Sequence, residues 1–339
     1  MDVTIGIKAL NEERHIARAI EAALAGLDGL SGEVILADSC STDRTTEIAA
    51  GYPIRVVQLA NPAERRCGAG AQLAFQHARG DYFYMLDGDM VLDRDFVSAA
   101  KAFLDAHPDV AAVGGRVREM NLDNAEFRIR AKALESDPNR RPGIVEWLDG
   151  GGLYRTRALR EVGWFADRNL HGCEELELGA RLRARGWKAA RIDRDAVDHY
   201  GHQEESYRLL LRRFRSGYAG AGGEALRAAL GRPHLGIVLR RLPRIGVSLI
   251  VTLWWLALAA TLVAGFWTAL LVLLALPVAF LSWRRRSLRV GIFSLASWNL
   301  GALAFWRGLV RRRVPPDQPL ASRELPSAAP PAALGRAAE

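Results

Sequence analysis

The first 120 residues alternate between short, β-rich hydrophobic runs and longer segments with the apolar spacing of helices. This regular alternation predicts a mostly parallel β-sheet covered by helices, the α/β class. In such sheets ligands bind beyond the carboxyl ends of the strands, so polar residues at those ends are candidates for chemistry. The predicted strands are 3–7, 33–37, 54–59, 81–86 and 110–113, and the predicted helices are 15–27, 45–50, 68–78 and 94–106.

A later stretch, 245–283, carries no charged side chain. A single helix of that length would be about twice as long as the hydrocarbon core of a membrane is thick. We therefore expect a transmembrane hairpin with spans at 245–263 and 266–283. Arginines stand before and after this pair, which predicts that both of its ends lie in the cytoplasm.

A third apolar stretch, 288–310, contains Asn299 and is followed by the basic run 311–313. A full crossing would place that basic run outside the cell, against the usual charge bias, so we predict a re-entrant or interfacial helix. The final segment, 314–339, is rich in Pro and Ala and is predicted to be disordered.

The positive charge is concentrated around the apolar stretches. The chain has 339 residues and a net charge of +8, and its arginines include those of a basic juxtamembrane segment, 226–244. This placement favours contact with membrane phosphates over nucleic acid. The three cysteines have neither zinc spacing nor a pairing pattern, which indicates reduced thiols. Because the chain begins on a strand and not on a signal peptide, we expect the first domain, 1–225, to stay in the cytoplasm.

Two carboxylates, in Asp87-Gly88-Asp89, directly follow the apolar run 82–86. Magnesium in proteins is usually held by one or two carboxylates together with phosphate oxygens of a substrate. Asn11 and Asp38 stand at the ends of two other predicted strands. The pattern predicts a metal–diphosphate site, whereas the tripeptide alone fits a polar turn with a positive-φ glycine equally well.

A series of motifs, taken in order, resembles glycosyltransferase family 2, a family of inverting enzymes with the GT-A fold. The resemblance covers about residues 3–218. It implies a Rossmann-like GT-A domain that takes a sugar from a nucleotide-sugar donor with Mg²⁺ or Mn²⁺ as cofactor. The motifs are Asn11-Glu12, Asp38 followed by Ser41-Thr42-Asp43-Arg44-Thr45, Asp87-Gly88-Asp89, Gly150-Gly151-Gly152-Leu153-Tyr154-Arg155, Val162-Gly163-Trp164-Phe165, and Glu174-Glu175 before Leu178 and Arg181.

The resemblance implies roles in donor binding for several residues. Asp38 would accept a hydrogen bond from the base of the nucleotide. Asp87 would meet the ribose or the water shell of the metal. The nucleotide pocket would be lined in part by Asn11, Glu13 and Arg66.

Other roles implied by the resemblance concern the metal and the catalytic base. Asp89 would bind the metal that bridges the diphosphate, helped by His199 or by its competitor His202. Glu175 occupies the position of the base, where the family usually has Asp, and Glu174 is the adjoining candidate. Both glutamates also suit the first turn of a helix, where acidic residues are favoured without any catalytic role. Two adjacent carboxylates give a reason for a raised pKa of the base.

One hairpin and one further helix are too few to form a polysaccharide channel, so we expect single-sugar transfer. The expected partners are a nucleotide-sugar donor, the membrane, and a lipid-linked acceptor, either a polyprenyl phosphate or a glycan on a polyprenyl carrier. Two alternatives stay open at this point. A sugar-nucleotide nucleotidyltransferase would need a glycine-rich loop after the first strand, which is missing, and a non-catalytic membrane scaffold would not need the retained carboxylates.

Overall fold

A computed structural model describes residues 1–120, 137–201, 206–242 and 245–327. The chain divides into two compact units. The α/β unit comprises Met1–Leu170, Glu174–Gln203 and Val314–Glu339, and the helical unit comprises His171–Cys173 and Glu204–Arg313. The chain therefore leaves the α/β unit and returns to it twice.

The α/β unit is built on a mixed sheet. Its strands lie in the order β10-β3-β2-β1-β4-β8-β6-β9-β5, and β7 pairs with β9. Strands β1, β2, β3 and β4 are parallel to one another, whereas β8 and β10 run antiparallel to their neighbours. The strands are β1 Val3–Ala9, β2 Gly32–Asp38, β3 Arg55–Leu59, β4 Tyr82–Asp87, β5 Met90–Leu92, β6 Val110–Glu119, β7 Gly143–Val145, β8 Gly152–Arg155, β9 Lys188–His199 and β10 Ser322–Leu325.

Helices cover both faces of this sheet. Strand β4 is buried on both sides, with Phe83 in one hydrophobic cluster and Tyr84 in the other. This is why its sequence is continuously apolar and not alternating. Gly6 in β1 lets the next layer approach, since a Cβ there would lie 2.8 Å from Ala74. The helices are α1 Ile16–Ala25, α2 Thr45–Ala50, α3 Cys67–Gln76, α4 Phe96–Ala106, α5 Thr156–Glu161 and α6 Glu174–Ala184.

The segment after residue 313 corrects one expectation. Disorder was predicted for 314–339, but β10 pairs antiparallel with β3 and Leu320 is buried in a core cluster. Arg168 donates to the carbonyls of Gln318 and Pro319 at 2.7 and 3.0 Å. Composition alone suggested disorder, but the open edge of β3 supplies the hydrogen-bonding partners that the segment lacks by itself. The rest of the predicted tail, 328–339, lies outside the described residues.

The helical unit consists of three short helices followed by three long ones. The last three are long and apolar enough to cross a membrane. Two of these, α10 and α11, lie where the transmembrane hairpin was predicted. The helices of the helical unit are α7 Ser206–Arg215, α8 Ala221–Ala229, α9 Leu235–Arg241, α10 Ile245–Val263, α11 Trp267–Arg285 and α12 Leu288–Val310. Residues 243–244 of the predicted juxtamembrane segment lie outside the described residues.

The third apolar stretch forms α12 as one continuous helix. A re-entrant loop needs the chain to reverse within the segment, so that part of the expectation is wrong, and the interfacial helix stays a prediction. The second half of α12 packs closely on α8: a Cβ at Gly308 would lie 2.2 Å from the carbonyl oxygen of Gly220. Next to this contact the buried Glu224 accepts hydrogen bonds from His171 and Arg311.

Candidate active site

The carboxyl ends of the parallel strands bring four polar side chains to one edge of the sheet. In the registers of the central strands, Lys8 lies opposite Asp87 and Ala9 lies opposite Asp38. Gln58 is the neighbour of Asp38 on β3. These residues are distant in sequence, and the sheet register alone makes them neighbours.

A lysine lies at the centre of this edge. The Lys8 ammonium group is 3.2 Å from the Asp87 carboxylate and 3.1 Å from that of Glu174. Burial by itself lowers the pKa of Lys8, but the carboxylates of Asp87 and Glu174 outweigh it and raise that pKa well above its ordinary value. Sequence analysis missed Lys8, although a lysine in an otherwise apolar strand was a usable signal.

Two adjacent carboxylates begin helix α6. Glu174 is buried and paired with Lys8, whereas Glu175 is partly exposed. Burial and the neighbouring Glu174 raise the pKa of Glu175 to about 8, and Lys8 opposes this shift. Because both residues lie in the first turn, the helix dipole favours negative charge at this position. One carboxylate is thus held in an ion pair, and the other can exchange a proton near neutral pH.

Strand β5 begins directly after the metal candidate Asp89. Its pairing with β9 places His199 opposite Met90, next to Asp89. The His199 ring contacts Asp89 through Nε2 at 3.4 Å and Glu119 through Nδ1 at 2.8 Å. Burial lowers the pKa of His199, but the hydrogen bonds and ion pairs with Asp89 and Glu119 outweigh it and raise that pKa to about 10. The imidazole is therefore held as a cation between two carboxylates.

The predicted metal ligands, Asp89, Asp87 and His199, differ in how well they suit a metal ion. Among the residues that the structure describes, no three His, Cys, Asp or Glu side chains are arranged to hold a metal ion by themselves. Asp89 still fits a magnesium-type site, because such ions commonly take one or two carboxylates and complete their shell with substrate phosphates and water. Asp87 is engaged with Lys8, and His199 would have to lose its proton to act as a ligand. His202 lies outside the described residues.

Asp38 is fully buried, and its two oxygens differ in their partners. Oδ2 accepts hydrogen bonds from the Ser41 amide at 3.0 Å and from Gln58 Nε2 at 2.8 Å. Oδ1 is buried and has no hydrogen-bond partner within the protein. A buried acceptor without a donor is costly, so this oxygen is suited to receive a donor from a ligand. Gln58 was also missed by the sequence analysis, since nothing in a glutamine on a strand marks it.

Asn11 and Glu13 fasten two loops together. Asn11 adopts a left-handed conformation with φ 59°, and its Oδ1 accepts from the Thr42 amide at 2.8 Å. Glu13 Oε2 accepts from the amide of Arg44 at 3.2 Å. Both residues therefore shape the loop that follows Asp38. Arg66 caps the N-terminus of α3 and is partly exposed.

Some motif residues make contacts that stabilise the α/β unit. Arg181 forms a buried ion pair with Glu177 at 2.9 Å and donates to the carbonyls of Val162, Trp164 and Phe165. Arg181 therefore fixes the backbone of the Val162-Gly163-Trp164-Phe165 element.

The glycine run lies against the central strands. Gly151 has φ +91°, and a Cβ there would meet the Met85 carbonyl at 2.9 Å. Nearby, the buried Arg191 binds Asp149 at 2.6 Å. The close approach to β4 is the reason for glycine at this position.

Comparison with known proteins adds independent support. The sequence profile of Glycosyl transferase family 2 matches residues 4–164. The putative glycosyltransferase EpsE of Bacillus subtilis is 30% identical over 198 residues, which cover 56% of this chain and 68% of EpsE. The chain belongs to glycosyltransferase family 2. The succinoglycan biosynthesis protein ExoA of Rhizobium meliloti is 27% identical over 212 residues, covering 58% of this chain and 62% of ExoA.

Solved structures agree with this assignment at the level of the fold. A mannosyltransferase from Pyrobaculum calidifontis, solved with GDP-Man and Mn²⁺, superimposes with a TM-score of 0.60 at 20% identity, covering 90% of this chain and 86% of that one. The GT-A fold and the glycosyltransferase class expected from the sequence are confirmed. The nucleotidyltransferase and scaffold alternatives are not supported. The roles of the individual site residues stay predictions.

The Lys8 ion pairs give the first test. Lys8→Met leaves Asp87 and Glu174 without their shared cation, and removing one partner of a buried pair costs about 3–5 kcal/mol. We expect a large fall in the free energy of unfolding of the detergent-solubilised protein, measured with denaturant. The matched control is Lys188→Met, whose exposed pair with Asp109 should contribute about 0–1 kcal/mol. Equal effects of the two substitutions would contradict the interpretation.

Proposed function

We propose that this family 2 glycosyltransferase transfers one sugar, with inversion and with a divalent metal, from a nucleotide sugar to a lipid-linked acceptor at the cytoplasmic membrane face. The observation that carries the proposal is the grouping at one sheet edge. There, a buried carboxylate with an unused oxygen, Asp38, and a carboxylate with a raised pKa, Glu175, accompany the Asp87–Asp89 pair. Each of these groups suits a different part of a sugar-transfer reaction.

The unused oxygen of Asp38 supports nucleotide binding. A pyrimidine or purine base carries N–H donors, and one of them would satisfy Oδ1 while Oδ2 keeps its two protein partners. The loops fastened by Asn11 and Glu13 would shape the surrounding pocket, with Arg66 at its side. The mannosyltransferase with the same fold was solved with a nucleotide sugar, which agrees with a nucleotide-sugar donor.

Asp89 is the protein ligand that we propose for the metal, with Asp87 close to the same ion through its water shell. The ion would be shared between Asp89 and the diphosphate of the donor, and when bound it would act as a Lewis acid that neutralises the departing diphosphate. Lys8 is placed to hold Asp87 and Glu174 in position through its two ion pairs. His199 holds Asp89 from the other side and becomes a ligand only if it gives up its proton.

Glu175 is the better candidate for the base. Inversion by direct displacement requires a carboxylate to take the proton of the acceptor hydroxyl while the new glycosidic bond forms and the bond to the diphosphate breaks. Glu174 is tied to Lys8 at 3.1 Å, so it is less free to approach an acceptor. A base whose pKa is about 8 is well matched to proton abstraction near neutral pH.

Membrane topology follows from chain connectivity. Residues on both sides of the three long helices, Met1–Leu170 and Val314–Glu339, belong to the same α/β unit. This connectivity supports a topology in which both ends of the helical unit lie on one side of a membrane and the number of crossings is even. We propose that α10 and α11 cross, and that α12, whose second half is packed on α8, lies at the interface.

The arginines flanking α10 and α11 favour a cytoplasmic location for this shared side. A catalytic unit tethered at the cytoplasmic face would meet acceptors anchored in lipid more often than dissolved ones. This favours a polyprenyl phosphate or a glycan on a polyprenyl carrier. A role in cell-envelope polysaccharide synthesis agrees with the name of the relative ExoA.

Release of nucleoside diphosphate by the detergent-purified protein tests the proposed reaction. Across a panel of nucleotide sugars, we expect release from one preferred donor, dependent on added Mg²⁺ or Mn²⁺. Asp89→Ala should lower the rate by about 10²-fold or more, since it removes the proposed metal ligand. Asp28→Ala, which removes an exposed carboxylate paired with Arg94, is the control and should retain the rate. Full metal-independent activity of Asp89→Ala would contradict the metal site.

The pH dependence of kcat/KM tests the base. Because Glu175 is active only when deprotonated and its pKa is raised to about 8, kcat/KM should rise with pH up to about 8 and then level off. Glu175→Gln should lower kcat by about 10²–10⁴-fold. Glu174→Gln is the matched neighbour and should retain more activity. The reverse order of the two variants would assign the base to Glu174.

Cysteine labelling tests the even number of crossings. We expect Gly265→Cys, at the turn between α10 and α11, to react with a membrane-impermeant maleimide in intact cells. Asp317→Cys, an exposed position after α12, should react only after the cells are permeabilised. The unchanged chain gives the background of the native cysteines. Labelling of Asp317→Cys in intact cells would mean that α12 crosses.

A further inference from the structure

A chain of hydrogen bonds connects the C-terminal segment to Asp38, the carboxylate proposed to bind the base of the nucleotide. Arg323 on β10 donates from Nε and Nη2 to Gln58 Oε1, at 3.0 and 2.5 Å. Gln58 Nε2 donates in turn to Asp38 Oδ2 at 2.8 Å. Arg323 is 265 residues away from Gln58 in the chain. The relay ends on Asp38, whose other oxygen, Oδ1, is buried and has no hydrogen-bond partner among the described residues.

The sheet register aligns these three residues. Arg323 lies opposite Gln58 across the antiparallel pair of β10 and β3, and Gln58 lies opposite Asp38 across the parallel pair of β3 and β2. Directly opposed residues on neighbouring strands have adjacent side chains. Strand β10 therefore extends the row of polar side chains that ends at Asp38.

The orientation of the Gln58 amide depends on Arg323. A glutamine amide carries an acceptor at one end and donors at the other, and a rotation of half a turn exchanges them. An arginine can only donate, so its two hydrogen bonds hold the oxygen of Gln58 toward β10 and the amino group toward Asp38. Without Arg323 the amide could turn its oxygen toward the carboxylate, which would remove a hydrogen bond and add a repulsion.

We propose that residues 314–327, the C-terminal strap, complete the nucleotide pocket, and that Arg323 is a positioning residue that orients Asp38 through Gln58. The inference rests on the proposed role of Asp38 in binding the base. With the strap in place, Asp38 Oδ1 faces the base of the nucleotide in a fixed direction. Without it, the donor is held less tightly and bases are distinguished less well. The pocket therefore includes chain that lies beyond the long helices.

The strap is anchored at several points that do not involve Arg323. Asn169 bonds the backbone of Val314 in both directions at 2.9 Å. Gln76 binds the backbone of Leu320 in the same reciprocal way, at 3.0 and 2.8 Å. On the other side of β10, Glu324 pairs with Arg55 at 3.0 Å. Substitution of Arg323 should accordingly leave the strap bound and the protein folded.

The experiment compares binding of nucleoside diphosphates by calorimetry, with UDP, GDP, ADP and CDP as probes in the presence of Mg²⁺, using the full-length protein in detergent. Arg323→Met should weaken binding of the preferred nucleotide about five- to tenfold and reduce its advantage over the others. Arg323→Lys, which supplies one point donor in place of a fork, should recover part of the loss. Glu324→Gln, the matched control on the same strand, should change affinity by less than about twofold.

A double-mutant cycle separates positioning from a general effect on stability. Gln58→Met should weaken binding of the preferred nucleotide as Arg323→Met does. The double variant should bind it no more weakly than Gln58→Met alone, since both substitutions act through one relay. In turnover with the preferred donor, the loss should appear in KM and not in kcat. Thermal unfolding of each variant is measured alongside, and Arg323→Lys serves for comparison if Arg323→Met is unstable.

The outcomes distinguish this inference from the proposed function. If the unchanged protein binds none of the nucleotides, or binds them equally well after Asp38→Asn, the proposed function itself fails. If binding depends on Asp38 but the Arg323 variants match Glu324→Gln, the strap has no positioning role. Additive losses in the cycle would also overturn the relay, because they would show that Arg323 and Gln58 act separately.

Discussion

The Lys8 ammonium group is the charge on which the arrangement of the active site depends. It lies between the last residue of β4 and the first residue of α6, and its two ion pairs join elements that are far apart in sequence. Three carboxylates converge there, and in a buried setting such charges repel one another and favour protonation. A single cation, Lys8, holds two of them in ion pairs, and the third, Glu175, has a raised pKa.

Because Lys8 pairs with only one of the two adjacent glutamates, these glutamates need not share one role. Glu174 is held by Lys8 and contributes to position, while Glu175 keeps its proton exchange. The same principle operates at the other end of the site, where His199 is fixed by Asp89 and Glu119. In both places ion pairs fix the positions of carboxylates, so the electrostatic partners matter as much as the motif residues.

Several of the family motifs make contacts that hold the α/β unit together. Arg181 binds the backbone of the Val-Gly-Trp-Phe element, and Asn11 and Glu13 fasten loops. A motif that is recognised by sequence therefore does not by itself identify a residue that touches substrate. Asp38 differs from these, because one of its oxygens is buried and unsatisfied within the protein.

The sequence by itself determined the local features. Apolar periodicity gave strands β1 to β4 and β6, helices α1 to α4 and the helices of the two expected spans, and the motifs gave the family and the carboxylates at the strand ends. These signals are local because side-chain spacing reports secondary structure within a few turns. Gln58 gave no sequence signal, and Lys8 gave only that of a lysine in an apolar strand, because the partners of both residues are set by the sheet register.

Only the tertiary structure decided which of these residues meet. Register placed Lys8 beside Asp87 and Gln58 beside Asp38, and the open edge of β3 converted a segment with the composition of a disordered tail into β10. Pairing across 265 residues leaves no periodic trace in the sequence, because each strand shows only its own alternation. The physical reason is that hydrogen bonds between strands, and the ion pairs they bring together, exist only after the sheet has formed.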